Sequence, residues 1–69
     1  MAGGVSQIEL TKVAFDQAVE SKEEMIKKTA KVIQIIDDIE VRKLLEEFIV
    51  QDEQHVKMLK DKMDKLHLV

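Results

Sequence analysis

The stretch VRKLLEEFIVQDEQHVKMLKDKMDKL, residues 41–66, decides the fold. Its apolar residues recur at intervals of three and four, which places their side chains on one face of an α-helix. Two ionisable residues fall on that same face, and an ionisable group is costly to bury unless it is paired or binds a metal. The stretch therefore predicts an amphipathic helix with a polar site inside its apolar stripe. That stripe consists of Val41, Leu44, Leu45, Phe48, Asp52, His55, Leu59, Met63 and Leu66.

The preceding part of the chain predicts another amphipathic helix, from about residue 6 to residue 36. Ser6 is a suitable N-cap, and Glu9 three residues later completes a capping box. The β-branched residues near the end of this helix also suit a strand, but no second candidate strand exists to pair with them. The expected inward stripe of the first helix contains Ile8, Thr11, Phe15, Ala18, Val19, Lys22, Met25, Ile26, Thr29, Ile33 and Ile36.

A break at Asp37 and Asp38 separates the two helices. Asp38 is a good N-cap for a second helix, which we expect over about residues 39–66. Past its first few residues the chain contains no Gly and no Pro that would interrupt a helix. We therefore predict one all-α domain, a two-helix antiparallel hairpin over residues 6–66 whose last residues fray. A disordered or frayed segment, residues 1–5, precedes it.

Residue counting predicts that Lys22, Asp52 and His55 converge. Lys22 lies about 15 residues before the turn, and Asp52 and His55 lie about 14 and 17 residues after it. With a rise of about 1.5 Å per residue, all three reach the same height of an antiparallel hairpin. We expect them to form a polar layer in the core. The simplest form of that layer is a buried Lys22–Asp52 salt bridge beside a hydrogen-bonded core histidine.

Composition excludes several classes of function. The net charge is −3 with interleaved acids and bases, and the chain has no Trp and no Tyr, which argues against a nucleic-acid surface. Without Cys there is no disulfide, no thiolate metal site and no cysteine nucleophile. No apolar run approaches the roughly 20 residues of a membrane span, and the chain does not begin like a signal peptide. We expect a cytoplasmic protein that binds neither nucleic acid nor membrane.

A single hairpin of this kind cannot bury its apolar residues. Two helices cover only part of each other's stripes, and a core of this size is marginal on its own. A further apolar set lies on a different side of the first helix. We therefore predict a homodimer or higher homo-oligomer, in which two hairpins form a four-helix bundle. The further apolar set consists of Leu10, Val13, Ala14 and Ile35.

Three segments resemble the rubrerythrin-related branch of the ferritin-like superfamily. They are AVESKEEMI at residues 18–26, EVRKLLEEF at residues 40–48 and DEQHVKML at residues 52–59. In that family each helical hairpin supplies a Glu from its first helix and a Glu-x-x-His from its second. Two hairpins together bind a di-iron centre that handles peroxide, oxygen or iron storage. The resemblance implies a ferritin-like four-helix bundle, rebuilt here by dimerisation of a half-length chain.

The metal-ligand positions of that family are altered in this chain. The family's first-helix Glu aligns with Lys22, and the Glu of Glu-x-x-His aligns with Asp52, which leaves Asp52-x-x-His55. A lysine in place of a bridging carboxylate repels a metal ion unless it is deprotonated. Glu23 lies next to Lys22 at the edge of the stripe, and a modest helix rotation would bring it into the site.

Three function hypotheses follow. We favour a metal-free ferritin-like assembly or interaction module with no cofactor, in which the Lys22–Asp52 pair replaces the di-iron site; an enzyme is not the favoured interpretation. The alternative is a metal-binding oxidoreductase or iron-handling protein, in which Asp52, His55 and Glu23 bind iron, zinc or manganese. The third is a plain coiled-coil adaptor, which a strict heptad seam would favour and against which the wide and irregular stripe argues.

Overall fold

The computed structural model describes residues 6–68, and these residues form two α-helices. Helix α1 spans Gln7–Ile33 and helix α2 spans Ile39–Lys65. The two helices pack against each other, and the described part of the chain contains no strand. The predicted all-α hairpin is confirmed. The expected disorder of residues 1–5 lies outside the described residues.

Side-chain caps begin both helices. The Ser6 hydroxyl accepts a hydrogen bond from the backbone N–H of Glu9 at 3.1 Å. The Asp38 carboxylate accepts hydrogen bonds from the backbone N–H groups of Glu40 and Val41, at 2.9 and 3.1 Å. These bonds satisfy N–H groups of the first helical turn that have no partner inside the helix. Both N-cap predictions are confirmed.

Helix α1 ends at Ile33, three residues before the expected end at Ile36. The N–H groups of Ile35 and Ile36 donate to the carbonyls of Val32 and Ile33, three residues back, at 3.0 and 3.3 Å. Such bonds tighten the end of a helix and let the chain turn away from its axis. The chain is then extended at Asp38, as an N-cap requires. The expected end of α1 at Ile36 was wrong because residues 34–36 belong to the chain reversal between the two helices.

The contact between the helices follows one narrow line on α2. Its least exposed positions alternate in steps of four and three, the heptad spacing of a coiled-coil seam. The expected stripe of α2 is therefore corrected in two ways: it omitted Ile49 and Val56, and it included exposed residues. The exposed residues are Val41, Leu44, Phe48, His55 and Leu66. The expectation that the stripe is too irregular for a heptad seam is wrong as well, so the irregularity of the stripe no longer argues against a coiled-coil adaptor. The seam of α2 consists of Leu45, Ile49, Asp52, Val56, Leu59 and Met63.

Helix α1 presents a matching line of less exposed residues to this seam. Most of its expected inward positions are less exposed, but Ile8 and Met25 are exposed. Only Ile33 of α1 is buried among the described residues of that helix. The seam of α1 consists of Phe15, Val19, Lys22, Ile26, Thr29 and Ile33.

The hairpin is only one helix thick. Its principal extents are 56 × 22 × 14 Å, and a helix with its side chains is about 10–12 Å across. The radius of gyration is 16.2 Å, whereas a compact domain of this length has about 11 Å. No side chain in the described part of the chain is fully buried. Stable domains commonly pack two layers around a core, and the described hairpin forms a single layer.

The chain folds back after α2. The N–H of Leu68 donates to the carbonyl of Met63 at 2.8 Å, and the N–H of His67 donates to the carbonyl of Asp64 at 3.1 Å. This pair of bonds is a Schellman motif, and Leu68 is buried beside it. The prediction that the last residues fray is therefore wrong for the residues up to Leu68. The fold-back buries the apolar side chain of Leu68.

His67 occupies the left-handed position of this motif, with φ of 57°. A residue with a Cβ is strained there by about 1–2 kcal/mol, and glycine avoids that strain. We therefore expect His67→Gly to raise the free energy of unfolding by about 0.5–1 kcal/mol, measured by urea denaturation. His67→Ala keeps the Cβ and is the matched control, which should not be stabilised. A glycine variant no more stable than the alanine variant would contradict the expectation.

Candidate functional site: the apolar face and its ion pair

An ion pair joins the two helices at mid-length. Nζ of Lys22 on α1 donates to Oδ1 of Asp52 on α2 at 3.1 Å. Each residue lies 15 positions from Asp37 in the turn, so the antiparallel helices bring them to the same height. The structure thus brings together two of the three residues expected in the polar layer.

The ion pair is only partly buried within one chain. The Lys22 side chain is 38% exposed and the Asp52 side chain is 16% exposed. This corrects the expectation of a buried pair, because each helix has a neighbouring helix on one side only. The pair lines an open groove between the helices. A second layer of helices over that groove would complete the burial of the ion pair.

His55 lies beside this layer and not within it. His55 follows Asp52 by three residues, so its side chain is rotated by about 60° around the helix axis, away from the seam. His55 is exposed and lines a groove together with Lys22 and Met58. The expected core histidine is therefore a surface residue of the single chain, on the same side of the hairpin as the exposed part of the ion pair.

Glu23 is held on the opposite side of the hairpin. Nζ of Lys60 lies 3.4 Å from Oε2 of Glu23 and forms a second ion pair between the helices. The single chain therefore does not bring Glu23 to Asp52 and His55. Among residues 6–68, no group of three or more His, Cys, Asp or Glu side chains is arranged to hold a metal ion.

The grooves beside Lys22 and Asp52 belong to one continuous side of the hairpin, which we call the apolar face. It carries large exposed apolar side chains on both helices and small residues on α1. The expected stripe of α2 combined residues of this face with residues of the seam. On α2 the sequence contains two lines of heptad spacing that lie one residue apart. This pattern was the signal that distinguishes the apolar face from the seam. The apolar face consists of Ala18, Ser21, Met25, Phe48, Gln51, His55 and Met58, which line the grooves, and of the exposed Leu44 one turn before Phe48. Towards the end of α2 its groove is also lined by the charged residues Asp61, Lys62 and Lys65.

The other side of the hairpin, which we call the charged face, has a different character. Its grooves are lined mainly by acidic and basic side chains. A helical hairpin with one apolar and one charged face is suited to water on one side and a packed neighbour on the other. The charged residues of this face are Asp16, Glu20, Glu23, Lys27, Glu53, Lys60, Asp61 and Asp64.

The chain matches no family model, no curated protein and no solved structure. Function is therefore inferred from the two faces and the ion pair. Within the described residues, neither helix combines the length and the apolar character needed to cross a membrane.

Proposed function

We propose that this chain is a metal-free helical assembly module, and that a second copy covers its apolar face to form a homodimeric four-helix bundle. The observation that carries the proposal is a hairpin one helix thick, whose exposed apolar face surrounds a partly buried ion pair. In this proposal the bundle is ferritin-like. The Lys22–Asp52 pair then takes the place that metal ligands hold in rubrerythrin-related hairpins.

The amount of exposed surface supports the packing of a second layer of helices on the hairpin. The chain exposes 5767 Å², whereas a folded monomer of this mass is expected to expose about 4,500 Å². The excess of about 1,300 Å² exceeds the roughly 800 Å² that each partner buries in an interface of standard size. A second copy packed on the chain would cover surface of this extent.

The charges at mid-length support a site without metal. The ammonium group of Lys22 occupies one oxygen of Asp52, and Lys22 and Asp52 together have no net charge. A ferritin-like di-iron site relies on carboxylates from all of its helices to offset the charge of the metal ions. The Lys22–Asp52 arrangement lacks the negative charge that would attract a divalent cation.

Molar mass and metal content together test this function. We expect a dimer or larger species at micromolar concentration, with less than one tightly bound transition metal ion per dimer after purification without chelator. A monomeric mass with sharp, cooperative unfolding would contradict the assembly. Stoichiometric iron or zinc that disappears in Asp52→Ala or His55→Ala would replace the proposal with the metal-binding oxidoreductase alternative.

A gain-of-binding variant tests the charge argument directly. Lys22→Glu restores a carboxylate at the height of Asp52, so we expect this variant to acquire affinity for iron or zinc, measured by calorimetry. Lys60→Glu adds the same charge to the charged face and is the matched control. Equal affinity in the two variants would show that overall charge, and not the position of Lys22, governs metal binding.

A further inference from the structure

The Lys22–Asp52 layer is the one charged layer in the seam that the structure describes. The other seam positions of both helices are apolar or threonine. In coiled coils, a single polar layer lowers stability but fixes the register in which helices pair. The Lys22–Asp52 layer at mid-length is therefore a candidate for fixing helix register in this protein.

Within one chain that role is already filled by the turn. Residues 34–38 connect the end of α1 to the start of α2, so the two helices cannot slide past each other. Between two chains no such covalent constraint exists. The alignment of one hairpin on another has to come from the surfaces that meet.

The apolar side chains alone define that alignment weakly. Apolar groups lie on both sides of the ion pair, with Leu44, Phe48 and Met25 towards the turn and Ala18 and Met58 away from it, so a displaced copy still meets apolar groups. The ion pair does not repeat. A displaced copy would cover Lys22 and Asp52 with groups such as Met25 or Phe48, which offer them no hydrogen bond.

Full alignment of the two hairpins avoids this loss of hydrogen bonds at Lys22 and Asp52. Because Asp52 is the central residue of Ile39–Lys65 and Lys22 contacts it at the same height, two fully aligned hairpins bring their ion pairs together whichever way the second hairpin runs. The exposed parts of the pair lie in the groove that the partner would cover. Two such pairs carry equal numbers of positive and negative charges, so each can satisfy the other.

We propose that the Lys22–Asp52 ion pair sets the register of the homodimer, with a second copy of this chain as the occupant of the apolar face. This inference rests on the proposed assembly function and adds to it a specificity-determining role for the two residues. They position the partner and carry no chemistry.

The decisive variant removes the pair without leaving a lone charge. Lys22→Met combined with Asp52→Leu should still dimerise but should lose its unique register. The matched control is Lys60→Met combined with Glu23→Leu, which also removes an ion pair between the helices and adds two apolar side chains. The charge-reversed variant, Lys22→Asp combined with Asp52→Lys, keeps an ion pair and should keep the register.

The chain has no cysteine, so Gln54→Cys provides a single spin-label site at mid-length on the exposed part of α2. Electron–electron dipolar spectroscopy then measures the distance between the labels of two chains. We expect one narrow distance in the Gln54→Cys chain, in the control and in the charge-reversed variant. We expect several distances in Lys22→Met/Asp52→Leu, because each slide by a heptad offsets the two labels by about 10 Å along the bundle axis and so lengthens the distance between them.

The outcomes separate this inference from the function on which it rests. A single unchanged distance in Lys22→Met/Asp52→Leu would overturn the register role and leave the homodimer standing. Several distances in both double variants would overturn it too, because added apolar surface would then be the cause. The absence of any dipolar signal from the Gln54→Cys chain would mean a monomer and would overturn the assembly proposal itself.

Discussion

Phe48→Glu is expected to raise the dissociation constant of the homodimer by at least about 100-fold. In a twofold-symmetric dimer each substitution occurs twice, so two carboxylates without partners would enter the interface. A hundredfold loss corresponds to about 2.7 kcal/mol, less than the several kcal/mol that stranding a buried charge typically costs. Sedimentation equilibrium over a range of protein concentrations measures the constant. The proposed interface on the apolar face requires this loss.

Val50→Glu is the matched control for this experiment. Val50 lies two residues further along α2 and is 51% exposed, close to the 46% of Phe48. It does not line the grooves of the apolar face. We expect its dissociation constant to stay within about threefold of that of the unchanged chain, as surface substitutions have small effects. A Phe48→Glu protein that dimerises as tightly as Val50→Glu would show that the apolar face is not the interface.

Lys22→Met and Asp52→Leu are each expected to destabilise the dimer by about 3–5 kcal/mol, because each strands one charge in the covered interface. Combining them should recover most of this loss and give a neutral or mildly stabilised protein. Chemical denaturation of the four proteins provides the double-mutant cycle. In an isolated hairpin, with 38% of Lys22 exposed, solvent screening would hold the coupling to about 1 kcal/mol or less. The size of the coupling therefore reports whether a second layer exists.

The Lys12–Asp16 pair supplies the reference value. It joins the same residue types at 3.0 Å within α1, with side chains 51% and 48% exposed. Its coupling in the cycle Lys12→Met with Asp16→Leu should be about 0.3–0.5 kcal/mol, as for other exposed pairs one helical turn apart. Equal coupling in the two cycles would mean that Lys22 and Asp52 remain in water, which contradicts a covered apolar face.

The sequence by itself determined the helices, their N-caps and the meeting of Lys22 with Asp52. Caps depend on side chains a few residues from the N–H groups they satisfy, so Ser6 and Asp38 were recognisable without a fold. The meeting of the ion pair followed from a turn of known position and a constant rise per residue, which leave no freedom in an antiparallel hairpin.

Only the tertiary structure decided which apolar residues of α2 form the seam. Two lines of apolar residues run side by side on this helix, and helical periodicity cannot tell which one the neighbouring helix covers. Packing selected the line through Ile49 and Val56 and left Phe48 and His55 on the adjacent face. The short reversal after Ile33 and the fold-back of Leu68 were not predicted either, because local backbone hydrogen bonds and the burial of Leu68 there prevail over helical propensity.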